Sequence, residues 1–205
     1  MKTKFFPVAV ALLLAVWVVG AQAQIADSSA HNLSSNSTWS FTSTSAKASN
    51  TNEVCVFCHT PHRTTSAQLL WNRTNPSASN FTMYVPLSGN TGTLGDASLR
   101  CLSCHDGVTA FNAVVKNPST GAPDNSGKMD TTAFPAGTNL TNDHPVGFTV
   151  PTTTGWKSTP GSGGFAELYS GKVECASCHD PHTNQAKFLR ASNTNSQICK
   201  DCHDK

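Results

Sequence analysis

The sequence predicts a protein that is mostly irregular coil, with short α-helices and little β-structure. The chain lacks long periodic apolar stretches after its first 23 residues. It is also rich in turn-forming residues, with 14 Gly and 11 Pro among 205 residues. One five-residue pattern occurs four times along the chain. We therefore expect the short segments around these four copies to organise the fold.

The repeated pattern is Cys-x-x-Cys-His, the attachment signature of c-type haem. The copies are CVFCH at 55–59, CLSCH at 101–105, CASCH at 175–179 and CKDCH at 199–203. Two residues three positions apart lie on one face of a helical turn, so both thiols can reach one edge of a porphyrin. The histidine that follows is then placed to ligate the iron.

Paired cysteines also occur in disulfide frameworks and in zinc sites, but neither requires a histidine after every second cysteine. The sequence therefore predicts four covalently bound haem c groups. The residues predicted to attach them are Cys55, Cys58, Cys101, Cys104, Cys175, Cys178, Cys199 and Cys202. The predicted proximal iron ligands are His59, His105, His179 and His203.

Four haems would supply the apolar core that the polypeptide lacks. Each is a large flat apolar body, so the predicted fold is coil and short helices wrapped around a four-haem stack. The formal net charge is +2, and two of the 14 basic residues, Lys2 and Lys4, precede the apolar run at 8–19. Without those two residues the charge is balanced, which argues against a nucleic-acid-binding surface.

Residues 1–23 are predicted to be a secretory signal peptide. Two lysines precede an apolar run that is too short to span a bilayer comfortably, and AQA at 21–23 fits a cleavage site. No later segment has the length and apolarity of a transmembrane helix. We expect an exported protein at the cell surface or outside the cell, with the periplasm as the alternative.

The remaining chain is taken in order. Residues 24–52 form a polar arm, ordinarily flexible, in which His31, Trp39 and Phe41 indicate partial order. Residues 53–110 are predicted to form a first di-haem module. It contains a helical turn at 53–62, an extended segment at 81–87 and a helix at 98–106 capped by Asp96 or Ser98.

A loop-rich insertion is predicted at 111–163, followed by a second di-haem module at 164–205. Turn residues at 116–128 and 151–164 mark loops, and His144 lies between them. Helices are predicted over 165–179 and 194–203, and they carry the third and fourth haems.

An internal repeat assigns the other four histidines. CVFCHTPH at 55–62 matches CASCHDPH at 175–182, LRCLSCHD at 99–106 matches QICKDCHD at 197–204, and each half has one further histidine upstream. The four histidines outside the pentads equal the four open axial positions in number, so we predict bis-histidine, six-coordinate, low-spin haems. These distal ligands are His31, His62, His144 and His182. Each half would thus hold four histidines.

Spacing limits which haem a distal histidine can serve. His62 and His182 each lie three residues after a proximal histidine, on the same side of that ring, so each must reach a neighbouring haem. Methionine is the competing axial ligand, and Met83 and Met129 are the two that follow the signal peptide. Three aspartates that directly follow a proximal histidine either tune a ligand or end a helix in solvent: Asp106, Asp180 and Asp204.

Six-coordinate iron has no open site for a substrate, and no catalytic constellation of side chains is left over. The sequence therefore predicts an electron-transfer protein and not an enzyme, with other redox proteins or extracellular acceptors as partners. A monomeric periplasmic shuttle is the alternative. A multihaem reductase is a third, from a different class.

The combination of CVFCHTPH, LWNR, SLRCLSCHDGV and DHPVGF resembles the exported multihaem cytochromes of metal-reducing bacteria such as Geobacter. The resemblance is nearest to the tetrahaem outer-surface cytochromes that polymerise into conductive filaments, and it covers most of residues 31–205. It implies a homopolymer in which one axial histidine is donated across the subunit interface. His31, on the polar arm, is the donor expected from this resemblance.

Overall fold

The computed structural model of the chain describes residues 25–41, 46–62, 70–85, 92–131 and 136–204. Coil and turns dominate these residues, which confirms the predicted fold class. The longest helix among them, α1, spans Asp96–His105, whereas α2 (Cys175–Cys178) and α3 (Gln197–Lys200) are single turns. Short 3-10 turns span Cys55–Phe57, Ala78–Asn80, Ala186–Phe188 and Thr194–Ser196.

The described strands are two residues long and form two separate pairs. Strand β1 (Thr82–Met83) pairs in parallel with β2 (Asn139–Leu140), and β3 (Phe148–Thr149) pairs antiparallel with β4 (Lys172–Val173). The extended segment predicted at 81–87 is therefore strand at its second and third residues, while residues 86–87 lie outside the described part of the chain.

Helix α1 forms where the sequence predicts it, but its cap differs from the prediction. The N-cap is Gly95, in an extended conformation, and no side chain caps the helix. Asp96 is the first helical residue. Ser98, the other predicted cap, is instead fully buried and bonded to Glu174.

The prediction of a helix over 165–179 is wrong for residues 165–174. Ser170 and Gly171 have φ angles of 52° and 76°, and the backbones of Tyr169 and Lys172 exchange hydrogen bonds of 2.9 and 3.0 Å. Two consecutive left-handed residues reverse the chain in a tight hairpin turn, so a helix cannot run through them. Only the pentad itself, α2, is helical.

The helix predicted over 194–203 is also shorter than expected. Asn195 and Ser196 adopt left-handed backbone conformations, with φ of 55° and 58°, which interrupt the helix directly before α3. Asn is among the non-glycine residues that visit this region most readily. The last pentad therefore begins within a single helical turn.

The described part of the N-terminal arm is folded against the first pentad. The backbone of Ala48 donates to Leu33, and both residues pack on a cluster formed with Val56 and Phe57. This ordered packing overturns the flexible arm that composition alone suggests. Trp39, in contrast, is 43% exposed.

The predicted loop at 116–128 covers this arm. Asp124 accepts hydrogen bonds from the backbone and hydroxyl of Ser49, and Asn125 donates to the backbone carbonyl of Ala46 at 2.9 Å. Glu53 accepts two hydrogen bonds from Ser119. Segments about 70 residues apart in sequence are thus joined by polar contacts rather than by apolar packing.

Apolar packing is confined to small clusters in the described residues. Phe81, Leu94, Leu102 and Leu140 form one cluster beside α1. Ala48, Val56 and Phe57 form the other. As many buried residues are polar or charged as are hydrophobic, so side-chain hydrogen bonds to the backbone position the pentads.

The predicted signal peptide at 1–23 lies outside the described residues. Within the described ranges, none of the helices has both the length and the apolarity needed to cross a bilayer.

Candidate functional site

Each pentad forms one helical turn. The backbone N–H of the pentad histidine donates to the carbonyl of the first cysteine at 2.7 Å for His59, 3.1 Å for His179 and 2.9 Å for His203. His105 is the last residue of α1. This turn places the two cysteines of a pentad on one side and carries the histidine out of the turn, as the attachment signature requires.

The eight cysteines, all of which the structure describes, are free thiols and form no disulfide. Burial raises the pKa of Cys58 and of Cys101 to about 12, and the pKa of Cys178 to about 11. Among the described residues, no three His, Cys, Asp or Glu side chains form a cluster suited to a bare metal ion.

Pentads that are consecutive in the sequence lie close to one another in space. The thiol of Cys104 adds to the raised pKa of Cys58, which makes the first and second pentads neighbours. Cys175 acts in the same way on Cys101, and Cys202 acts on Cys178. The second pentad is therefore next to the third, and the third is next to the fourth.

Three pairs of histidine rings lie at nearly the same separation, with angles between their planes that range from 21° to 74°. The ring centroids of His31 and His105 are 6.2 Å apart. Those of His59 and His182 are also 6.2 Å apart, and those of His144 and His203 are 6.4 Å apart. Every pair joins one pentad histidine to one histidine outside the pentads.

This separation is the one that two axial ligands of a single iron require. A metal–imidazole nitrogen bond is about 2 Å long, so imidazoles on opposite sides of one metal ion have ring centroids roughly 6 Å apart. The structure thus fits haem iron between the rings of each pair. Histidine is a common axial ligand of haem iron.

The pairs also follow the internal repeat. His31 and His144 occupy equivalent positions upstream in the two halves, and each pairs with the last pentad of its own half. His182 crosses from the second half to His59 in the first. The two halves, each of which holds four histidines, are therefore interleaved through this pair.

His62 and His179 form no such ring pair within the described residues. Both side chains are exposed. The Nδ1 atom of His179 lies 2.9 Å from the carbonyl oxygen of Lys187. Since a carbonyl only accepts, Nδ1 carries the proton and Nε2 is left as the ligand atom.

The environment of His31 differs from that of the exposed histidines. Its Nδ1 atom is buried without a hydrogen-bond partner, and Phe188 contacts its ring edge-on at 4.3 Å. Burial, followed by the charge of His105, lowers the pKa of His31 to about 4. A neutral imidazole is the form that binds a metal. Because His31 faces His105 of the same chain, the structure does not support the cross-subunit role expected from the resemblance.

Two equivalent segments follow the first and the third pentads, and each lies beside its own pentad. His59 bridges Trp71, and His179 bridges Leu189, in isolated antiparallel contacts. The residue before each bridging partner, Leu70 or Phe188, has a left-handed backbone with φ near 50° to 55°. The repeat seen in the pentads therefore extends to the segments that follow them.

Side chains at equivalent positions of these two segments hold the pentads. Asn72 donates through Nδ2 to the carbonyl of Val56 at 2.6 Å, and Arg190 donates through Nε to the carbonyl of Ala176 at 2.7 Å. Both acceptors directly follow the first cysteine of their pentad. In the sequence, LWNR contributes only to a resemblance. The equivalence of Asn72 and Arg190 becomes visible only when the two segments are compared in the structure.

Arg73, 1% exposed, joins the first segment to the second pentad. It donates through Nε and Nη2 to the carbonyl of Ser103 at 3.2 and 2.9 Å, and to the carbonyls of Ala110 and Phe111 at 2.8 Å. Its charge also acts on Cys58 and Cys104, partly offsetting the rise in pKa that burial causes. Arg73 therefore fixes the spacing of the first two pentads.

Ser98 and Glu174 join the second pentad to the third. The hydroxyl of Ser98 donates to the buried carboxylate of Glu174 and accepts from the backbone N–H of Cys175 at 2.9 Å. Glu174 also accepts from Gly95 at 3.0 Å and forms a capping box with Ser177. Helices α1 and α2 are held together by this polar contact.

The fourth pentad is held by the loop predicted at 151–164. The ring of Trp156 lies 4.4 Å from the ring of His203, and the two residues form an antiparallel bridge. The buried carboxylate of Asp201 accepts from the backbones of Gly163, Phe165 and Ala166 at 2.6 to 3.0 Å. This loop therefore packs directly against a predicted iron ligand.

The aspartates after the proximal histidines have different roles. Asp106 accepts from Val108 and Thr109 and shapes the turn after α1. Asp180 contacts the distal ligand His182, not the proximal one, at 3.1 Å. Asp204 is exposed. As for the competing ligands, Met83 packs against the apolar cluster beside α1, and Met129 is half-buried.

Comparison with known protein families finds a match over part of the chain. The family described as a doubled CXXCH motif matches residues 169–205, which contain the third and fourth pentads. This motif indicates a multihaem c-type cytochrome, in which haem c is bound covalently and serves electron transfer. No curated protein matches the chain.

Proposed function

We propose that the chain is a tetrahaem c-type cytochrome that passes electrons from haem to haem towards extracellular acceptors. The observation that carries this proposal is the set of three histidine ring pairs at 6.2 to 6.4 Å. When bound, haem supplies a one-electron iron couple, and the axial ligands and their surroundings set its potential. The chain's own residues attach, orient and space the four groups.

The proposed ligand sets follow from the ring pairs. His105 is paired with His31, His59 with His182, and His203 with His144, and all three pairs lie within one chain. His179 and His62 remain for the fourth haem. We also propose a division of the chain into two di-haem modules, at 53–110 and 164–205. The arm at 24–52 precedes the first module, and the insertion at 111–163 separates the two.

The internal repeat supports a polymer. His182, the histidine of the second CHxPH segment, faces a pentad histidine of the first half, and the repeat implies the same exchange for His62. His182 makes this exchange within the chain, whereas the equivalent exchange between His62 and His179 is left open at the surface. A one-way contact between two different surface sites propagates from copy to copy and builds a filament. We therefore propose His62, in place of His31, as the histidine donated across the subunit interface.

Export is part of the proposal. It is supported by the leader-like sequence at 1–23 and by the attachment of c-type haem outside the bacterial cytoplasm. The resemblance to Geobacter-like outer-surface cytochromes favours the cell surface over the periplasm.

A second candidate function, a multihaem reductase, is favoured by one observation. If no second chain supplies His62, the haem held by His179 keeps one open axial position at an exposed site. A small electron acceptor would then bind there. The monomeric periplasmic shuttle requires instead that His62 reach His179 within one chain.

His62→Ala tests these alternatives in the full-length holoprotein. We expect four haems by intact mass, assembly of the wild type into filaments by electron microscopy, and loss of both the filaments and one low-spin haem in His62→Ala. His182→Ala is the matched control, because it should lose one low-spin haem and still assemble. A wild type that is monomeric with four low-spin haems supports the shuttle. A wild-type monomer with one high-spin haem supports the reductase.

A further inference from the structure

Three of the proposed axial histidines have a described hydrogen bond at Nδ1. His144 and His179 face backbone carbonyls, of Pro145 and Lys187, at 2.9 Å. His182 faces a carboxylate oxygen, Oδ1 of Asp180, at 3.1 Å. In each case the acceptor places the proton on Nδ1 and directs Nε2 to the metal. Only the third acceptor carries a charge.

Asp180 holds His182 at two points. The same oxygen, Oδ1, also accepts the backbone N–H of His182 at 2.9 Å, so both the ring and the main chain of the ligand are fixed. The His182 ring lies nearly parallel to that of His59, with 21° between the planes. Both side chains of the Asp180–His182 pair are about one-third exposed, so solvent weakens but does not remove the effect of the charge.

The first half of the repeat lacks this carboxylate. Thr60 occupies the position equivalent to Asp180, and its hydroxyl donates to the carbonyl of His62 at 3.1 Å. The carboxylate is therefore a feature of one CHxPH segment and not of the repeat itself. Of the two CHxPH segments, only the second places a carboxylate on its distal histidine.

We propose that Asp180 is a positioning residue that orients His182 and, through its negative charge, lowers the reduction potential of the haem held by His59. This inference rests on the tetrahaem function proposed above. A carboxylate that accepts from a ligating imidazole increases the donor strength of that ligand. A stronger donor and a nearby negative charge both favour the ferric state over the ferrous state.

The test is spectroelectrochemistry of the full-length holoprotein with Asp180→Asn. Asparagine keeps an oxygen acceptor and the side-chain shape but removes the charge. We expect one of the four potentials to rise while all four haems stay low-spin. Residues that hydrogen-bond to a metal ligand typically change metal affinity by tenfold or more. A tenfold change in the preference of the site for ferric over ferrous haem shifts a one-electron potential by about 59 mV, which is the size of the rise that we expect.

Asp204→Asn is the matched control, since Asp204 also directly follows a pentad histidine and is exposed. We expect a smaller shift from it. An equal shift from Asp204→Asn, or unchanged potentials in Asp180→Asn, would overturn the role of Asp180. If Asp180→Asn fails to load haem, Asp180→Glu and Asp180→Gln form a second pair that differs only in charge. Equal potentials in that pair would also overturn it.

Measurements on the same wild-type and variant proteins show whether the role of Asp180 or the tetrahaem function has failed. A wild type with fewer than four covalent haems by intact mass contradicts the tetrahaem proposal. Four low-spin haems in the wild type, with potentials that Asp180→Asn does not change, contradict the role of Asp180 alone.

Discussion

The ring of His31 faces His105 and Phe188, and its buried Nδ1 atom has no hydrogen-bond partner. A buried polar atom without a partner is unfavourable by about 1–3 kcal/mol, so such an atom ordinarily has a functional reason. A role as a buried iron ligand, whose imidazole must stay neutral, would supply one. His31 is therefore the distal histidine whose surroundings are most specialised among those described.

His31→Ala is expected to convert one low-spin haem to high-spin in the isolated monomer as well as in the assembled protein, because both rings belong to one chain. Magnetic circular dichroism or electron paramagnetic resonance of the ferric protein measures the change. Trp39→Ala is the control, since Trp39 lies exposed in the same arm. Four low-spin haems in monomeric His31→Ala would show that His31 is not a ligand.

Sequence reasoning works well at the residue scale where covalent chemistry dictates spacing. The pentads are recognisable because two thiols and one imidazole must meet a single porphyrin. The pairing of distal histidines is different. His182 and His59 are 123 positions apart, and only the packing of the two halves brings their rings together.

At the scale of elements, the contact between α1 and α2 depends on a buried serine and a buried carboxylate. Ser98 is 0% exposed and Glu174 is 2% exposed. The hydroxyl of Ser98 both donates to Glu174 and accepts from Cys175. Removal of this one hydroxyl leaves a buried N–H without its partner and deprives the carboxylate of a donor.

Ser98→Ala is therefore expected to lower the free energy of unfolding by about 2–4 kcal/mol, from two lost hydrogen bonds in a buried network. The shift in the guanidinium unfolding midpoint measures it. Ser103→Ala is the matched control, because Ser103 is equally buried in α1 but donates only to Arg100 of its own helix. Equal midpoints for the two variants would show that the contact between the helices contributes little.

The elements that sequence analysis predicted wrongly share one cause. The helices at 165–179 and 194–203 are cut short by left-handed residues, among them Ser170 and Ser196. Gly171 and Asn195, the neighbours of these serines, readily adopt this conformation, so the local sequence does carry a signal for each break. The helical pattern predicted across both positions overrode that signal.

At the scale of the whole molecule, the described chain is held by polar contacts around two small apolar clusters. A polypeptide that buries so little apolar side chain has little to offset the entropy of ordering its backbone. Four haems would supply the missing apolar surface. Folding and haem attachment are then coupled, as in small domains that fold around a metal.

The chain produced without haem attachment is expected to show no cooperative thermal transition, whereas the holoprotein unfolds sharply. Differential scanning calorimetry of both forms measures this difference. Substitution of all eight cysteines by alanine gives a haem-free chain that cannot form chance disulfides. A sharp transition and a dispersed amide spectrum in that chain would contradict the coupling.

The side chains of Asn72 and Arg190 hold equivalent pentads. Each donates to the backbone carbonyl at the second position of its pentad, although one side chain is an amide and the other a guanidinium. What the architecture requires at this position is a side-chain N–H donor at a fixed distance from the pentad, and not a particular amino acid. Selection would then preserve the pentads and the placement of a few donors while the loops between them diverge. Two proteins of this architecture would superpose closely and yet share little sequence outside their haem-binding turns.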